Sequence, residues 1–285
     1  MDPALIPEAL NVPALLRQHQ LRPRKSLGQN FLIDNQALEK VVDAAEITKN
    51  DQVLEIGAGL GSLTRFLAMA ANQVVAVELD KHLIPLLKTV LAQETNVEVI
   101  CGDILDLDPS RLMHQDGYLV VANIPYYITS AIIRHLLEAA HKPRRMVLTI
   151  QEEVAKRICA KPGDLSLLAL SVQVFGQAKI VASIPAGAFY PPPKVDSSVI
   201  KIDLYEKPVI PAGNLDSFFQ LAKAGFSQKR KMLRNSLSAG LGWPVNQTQN
   251  LLMSCEIDPT RRAETISLTE WKIITEVFRE ESQKN

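Results

Sequence analysis

From residue 50 the chain repeats one alternation: a short β-branched run ends at a glycine or polar turn, and a longer stretch with helical apolar spacing follows. The runs are residues 52–59, 73–80, 97–103, 118–126 and 146–151, with helical stretches such as 62–71 and 83–93 between them. A run that is apolar at nearly every position leaves no face for water, so it suits a strand covered on both sides. Strands of that kind joined through helices build a parallel, doubly wound α/β sheet.

Two more strand candidates, 178–184 and 197–205, are joined by the proline-rich stretch Pro185-Ala-Gly-Ala-Phe-Tyr-Pro-Pro-Pro-Lys-Val-Asp196 instead of a helix. They are expected to pair as an antiparallel hairpin at one edge, giving seven strands in a mixed sheet. Beyond Pro208, Pro211 and Gly213 the pattern turns wholly helical. There Ser267-Leu-Thr-Glu270 reads as a capping box, and Leu268, Trp271, Ile274, Thr275 and Phe278 share one face of the last helix. The expected division is a ligand-binding α/β domain with an N-terminal arm over 1–206 and a small all-helical domain over 207–285.

Composition narrows the class further. The 285 residues are 47% hydrophobic and 22% charged, which is globular, and 31 basic residues balance 31 acidic ones. A polyanionic partner must therefore be argued from where the charge lies. Cys101, Cys159 and Cys255 are far apart and odd in number, which speaks against a disulfide framework and for a reducing compartment. The five histidines show no metal-ligand spacing, so no metal is expected. The start of the chain carries Asp2 and Glu8 and lacks the features of a leader, and no apolar run approaches the roughly 20 residues of a membrane span. A cytoplasmic, monomeric protein is expected.

Glu55-Ile-Gly57-Ala-Gly59-Leu-Gly61 ends the first run and opens a helix, the place where backbone turns sharply and passes close to a ligand. A dinucleotide fingerprint requires glycine at 62, where Ser62 stands, so an adenosine-type ligand without a pyrophosphate fits better. Glu78 closes the second run about twenty residues beyond Gly57, suited to accept from two ribose hydroxyls. Asp103 closes the third and can accept from an adenine amino group. Helix capping by Glu78 and Asp103 is the structural alternative.

Asn123-Ile-Pro-Tyr126 closes the fourth run. An exocyclic adenine amine is a poor nucleophile, because its lone pair is delocalised into the ring, and it must be oriented to react. The Asn123 oxygen and a main-chain carbonyl freed by Pro125, which has no N–H, can both accept from that amine. Tyr126 offers a flat face for an extruded base. With the amine so held, transfer of a sulfonium methyl is chiefly a matter of positioning. Phe189, fixed by the prolines after it, is expected on the opposite face of the base; a core plug is the structural alternative.

The charge is polarised. Between Asp216 and Glu256 there is no acid, while Lys223, Lys229, Arg230, Lys231 and Arg234 lie there; from Ala9 to Ile33 there are Arg17, Arg22, Arg24 and Lys25 without an acid. Such stretches suit nucleic-acid phosphates, with Arg24, Lys25, Lys229, Arg230, Lys231 and Arg234 as the candidates.

Lys25-Ser-Leu-Gly-Gln-Asn-Phe-Leu32, the glycine loop, Asn123-Ile-Pro-Tyr126, Phe189-Tyr-Pro-Pro-Pro-Lys-Val-Asp-Ser197, Phe226-Ser-Gln-Lys-Arg-Lys-Met-Leu-Arg-Asn235 and Arg261-Arg-Ala-Glu264 together resemble the small-subunit ribosomal RNA adenine dimethyltransferases. The resemblance implies a Rossmann-like S-adenosylmethionine-dependent methyltransferase domain, with Gln29, Asn30 and Leu32 also lining the cofactor pocket. It implies dimethylation of two adjacent adenines near the 3′ end of the small-subunit RNA, within an immature subunit. Related enzymes acting on a large-subunit adenine share the glycine loop and the Asn-Ile-Pro-Tyr type of motif, and a non-catalytic assembly factor on the same fold is a third reading.

Overall fold

The computed structural model describes residues 7–125 and 128–284. Seven strands make one sheet: β2 (Gln52–Ile56), β3 (Gln73–Glu78), β4 (Val97–Cys101), β5 (Leu119–Asn123), β6 (Arg145–Gln151), β7 (Gly176–Ile184) and β9 (Ser197–Leu204). Their order is β4-β3-β2-β5-β6-β9-β7. The first five pair in parallel, and β9 runs antiparallel to β6, so the sheet is mixed. β9 and β7 are neighbours at one edge, where the sequence pattern put them. A separate two-stranded ladder joins β1 (Phe31–Leu32) to β8 (Phe189–Tyr190).

The inner strands are buried because they carry no polar face: Val53, Leu54 and Ile56 of β2, and Leu119 through Ala122 of β5, are all at most 3% exposed. The helix Asn35–Ala45 covers one face with Leu38, Val41, Val42 and Ala45, the i, i+3, i+4 spacing of an amphipathic helix. Asp34 starts it by accepting from the Ala37 N–H at 2.8 Å. The helix Ser62–Ala70 adds Leu63, Phe66 and Leu67 to the same core. Each such side chain taken fully from water contributes about 1.5–3 kcal/mol.

The chain divides into two compact units, residues 1–155 with 179–204, and residues 156–178 with 205–285. A single cut after residue 206 differs from this in residues 156–178 and in the two boundary residues 205 and 206. Residues 156–178 join the C-terminal helices because their backbone is tied to them: Val209 N–H donates to Val174 O, Tyr205 N–H to Phe175 O and Gly163 N–H to Glu264 O, each at 2.9 Å.

The second unit contains the helices Leu215–Phe226, Leu233–Leu241, Val245–Ser254 and Leu268–Lys284. The capping box of the last one forms as the spacing predicts, with Glu270 N–H donating to Ser267 Oγ at 3.2 Å and Ser267 N–H to Glu270 Oε2 at 2.7 Å. Trp271, Ile274 and Thr275 are wholly buried on the expected face. Among the described residues no helix is long and apolar enough to cross a membrane.

Candidate active site

At the carboxyl ends of β2, β3 and β5, and just beyond β4, the backbone leaves the sheet around a cleft of about 770 Å³, its open mouth included. That is the ligand position of open α/β folds. Gly57, Gly59, Glu78, Asp103, Asn123 and Pro125 all line it. Gln29 and Asn30, brought in by the segment before β1, form a further wall.

The glycine loop is shaped by two contacts. Gly57 adopts φ +79°, a conformation that favours glycine, and a Cβ there would be in ordinary contact with the Asn123 carbonyl oxygen at 3.5 Å. Gly59, at φ +59°, faces the Phe31 ring, which a Cβ would meet at 2.9 Å. Its N–H donates to Glu78 Oε2 at 2.7 Å, and Asp80 N–H donates to Glu78 Oε1 at the same distance. Burial raises the Glu78 carboxyl above its ordinary range, and the N–H donors of Asp80 and Gly59 oppose that rise. A carboxylate has about four acceptor positions, so capacity remains on Glu78 for a ligand donor beside these N–H groups.

Asp103 lies two residues past β4 and accepts the Leu105 N–H on Oδ1 at 2.9 Å. Asp103 thus caps a turn and not a helix, the next helix starting at Pro109, and the bond engages one oxygen only. Ile56, Val77 and Ile104 supply apolar walls nearby. Ile104 was legible only as the residue after Asp103.

Asn123 is fixed by its partner. Its Nδ2 donates to the Asn30 carbonyl at 2.9 Å, which settles the amide orientation and leaves Oδ1 as the acceptor on the other side. Asn30 is held in turn by its own amide, which donates to Gly28 O at 3.2 Å. Ile128 N–H donates to Pro125 O at 3.2 Å. Tyr126 lies outside the described residues.

Two expected site residues go elsewhere. Leu32 is 3% exposed and packs in the core with Leu38 and Val41, because successive residues of a strand face opposite ways and Phe31 takes the cleft side. Phe189 is 2% exposed in the same core. The β1–β8 ladder sets it opposite Leu32, so its ring fills the interior as a plug and does not reach the cleft. Beneath the site Glu55, 1% exposed, is pushed by burial to about 8, with the negative Glu78 adding to the rise.

The basic candidates are placed as follows. Lys25 is exposed in the turn before β1, and the Arg24 guanidinium lies 3.4 Å from Asp80 Oδ1. In the second unit Lys229, Arg230 and Lys231 are exposed in the turn that follows the helix Leu215–Phe226, not on a helix. Arg234 is half-buried on the next helix and donates to Gln249 Oε1 at 3.1 Å, so it is partly committed to packing.

A family model described as ribosomal RNA adenine dimethylase matches residues 20–279. A relative called ribosomal RNA small subunit methyltransferase A, from Dehalococcoides mccartyi (strain CBDB1), is 46% identical over 259 residues, 90% of this chain and 89% of the relative. One of the same description from Pelotomaculum thermopropionicum is 43% identical over 280 residues, 94% and 95% of the two chains. Among solved structures, a dimethyladenosine transferase from Plasmodium falciparum matches with TM-score 0.77 at 26% identity, over 88% of this chain and 98% of that one. The 23S rRNA methyltransferase ErmE matches with TM-score 0.70 at 26% identity, over 88% and 100%.

Proposed function

The chain belongs to the ribosomal RNA adenine dimethylase family, and from that premise we propose that it methylates the N6 amines of two adjacent adenines near the 3′ end of small-subunit ribosomal RNA, placing two methyls on each. Its sheet-bearing unit is a Rossmann-like methyltransferase domain, and family and fold imply a methyl donor of the S-adenosylmethionine type.

The observation that carries the reading is the placement of Asn123 in the same cleft as Glu78 and Asp103, with its oxygen left as an acceptor. The residues fit the donor: the remaining Glu78 acceptor positions suit ribose hydroxyls, the second Asp103 oxygen suits an adenine amine, and Gly57 and Gly59, both at positive φ, turn the backbone along the cleft. When bound, the donor supplies an electrophilic methyl on a positively charged sulfur. Asn123 Oδ1 and the Ile124 carbonyl, which precedes the ring nitrogen of Pro125, accept from the target amine and turn its lone pair toward that methyl. Tyr126 is assigned the stacking face for the base on the strength of the motif. Positioning provides most of the rate, since the methylated amine becomes acidic and loses its proton to water.

Lys25 and the turn Lys229-Arg230-Lys231 are assigned to RNA phosphates, with an immature small subunit as the working substrate and a monomer in the cytoplasm as the working form. The test is transfer from labelled S-adenosylmethionine to unmodified small subunits, followed by mapping of the modified bases. Label on the paired adenines supports the assignment. Transfer to protein-free large-subunit RNA in its place, or binding of subunits without any transfer, overturns it.

A further inference from the structure

Asp80 lies just past β3, 4% exposed, and is absent from the residues that line the cleft. A carboxylate so buried requires partners for both oxygens. Oδ1 accepts the His82 N–H at 3.1 Å and faces the Arg24 guanidinium at 3.4 Å. Oδ2 accepts from Gln29 Nε2 at 3.0 Å. The other end of that amide, Gln29 Oε1, accepts the Arg24 N–H at 2.7 Å. Residues 24–29 therefore form a closed turn, tightened by Gly28 at φ +62°, with its polar contents gathered on one carboxylate.

The turn leads straight into the cleft wall. Gln29 is followed by Asn30, whose carbonyl holds the Asn123 amide. In the other direction the Asp80 N–H donates to Glu78, the group placed to meet the ribose. One buried residue thus lies between the two ends of the site, linked to one by its side chain and to the other by its main-chain N–H, and lies outside the cleft lining.

We propose that Asp80 is a positioning residue: through Gln29 it holds the 24–30 segment across the cleft and so sets the affinity for the methyl donor. The inference rests on the reading of the cleft as the donor site. Its distinguishing property is polarity, because Gln29 is the donor and Asp80 the acceptor of the linking hydrogen bond. Gln29→Glu sets two carboxylates against each other, and Asp80→Asn leaves two N–H groups facing each other whichever way the amides turn. Combining Asp80→Asn with Gln29→Glu reverses the bond: the new amide at position 80 donates to the new carboxylate at position 29. The oxygen of that amide is then free for the His82 N–H, and the second carboxylate oxygen is free for the Arg24 N–H.

The experiment is calorimetric titration of S-adenosylmethionine into the 285-residue chain and these three variants, with thermal melts and steady-state transfer alongside. Each single substitution is expected to weaken donor binding by roughly tenfold or more, the value of one hydrogen bond to a charged group. For Asp80→Asn, which lies outside the cleft lining, the loss should appear chiefly as a raised KM for the donor, with a smaller fall in kcat. The double variant should recover to within about threefold of wild type. Singles that bind as wild type, or a double no better than Gln29→Glu, overturn the proposal. Gln29→Ala, which cuts the link without a new charge, covers the case of a single variant that does not fold. If the wild type itself fails to take up the donor, the reading of the cleft fails instead.

Discussion

Asn123 donates its side-chain amide to the main-chain oxygen of Asn30 at 2.9 Å, a bond between residues 93 apart in the chain. It makes the residue assigned to the target amine depend on the segment assigned to wall the donor. It also fixes which end of the amide is the acceptor, so polarity at position 123 matters as much as size.

Asn123→Asp keeps the size and the acceptor and removes the donor. A carboxylate facing the Asn30 carbonyl repels it, and the segment from Gln29 to Phe31 loses its anchor on β5. Turnover should fall by about 100-fold or more, comparable to Asn123→Ala, because misplacement of the reacting groups costs that much. Transfer of labelled methyl to unmodified subunits measures it; an Asp variant that retains activity means that the Asn30 bond is dispensable.

Glu55 gives a pH dependence of stability. Its folded pKa is about 8 against an ordinary 4.5, so between these values the unfolded chain has released a proton that the folded chain still holds. Stability must then fall as pH rises, by about 1.4 kcal/mol per unit at most, and level off above 8. Urea unfolding at pH 5 through 8 should show a slope in wild type that Glu55→Gln reduces, the variant being relatively more stable at the alkaline end. Parallel curves for the two proteins would mean that Glu55 is not protonated in the fold.

The alternation from residue 50 was enough to give the sheet, because strands buried on both faces announce themselves by continuous apolar runs. Strand-end residues followed from it: Glu78 and Asn123 close β3 and β5, and Asp103 follows β4. What could not be read was the direction of side chains in short pieces. Phe31-Leu32 and Phe189-Tyr190 are two-residue strands, and nothing in so short a pattern tells which member faces inward. Asp80 was hidden for another reason: its partners, Gln29 and Arg24, lie more than 50 residues away. The place of residues 156–178 was likewise fixed by distant backbone hydrogen bonds and not by composition.

Phe189 separates the two readings of the proline-rich loop. As a core plug it should cost about 3–5 kcal/mol when cut to alanine, the range for a buried phenylalanine, and Phe189→Leu should recover much of that. Denaturant unfolding reads the loss directly. A stacking role would show differently, as lost turnover in a protein that unfolds normally.

The exposed turn Lys229-Arg230-Lys231 is assigned to phosphate, and salt is the probe of that assignment. Replacing all three by glutamine removes up to three phosphate contacts, each of which contributes about 0.7–0.9 to the slope of log affinity against log salt. RNA binding measured from low to physiological salt should therefore show a slope shallower by about 2–3 in the variant, with weaker binding at every sequence tested. Melting temperature should change little, since the three side chains are exposed. Calorimetric affinity for S-adenosylmethionine should be unchanged, as the proposed donor cleft is built wholly from residues of the other unit. An unaltered salt slope would remove this turn from the RNA-binding surface.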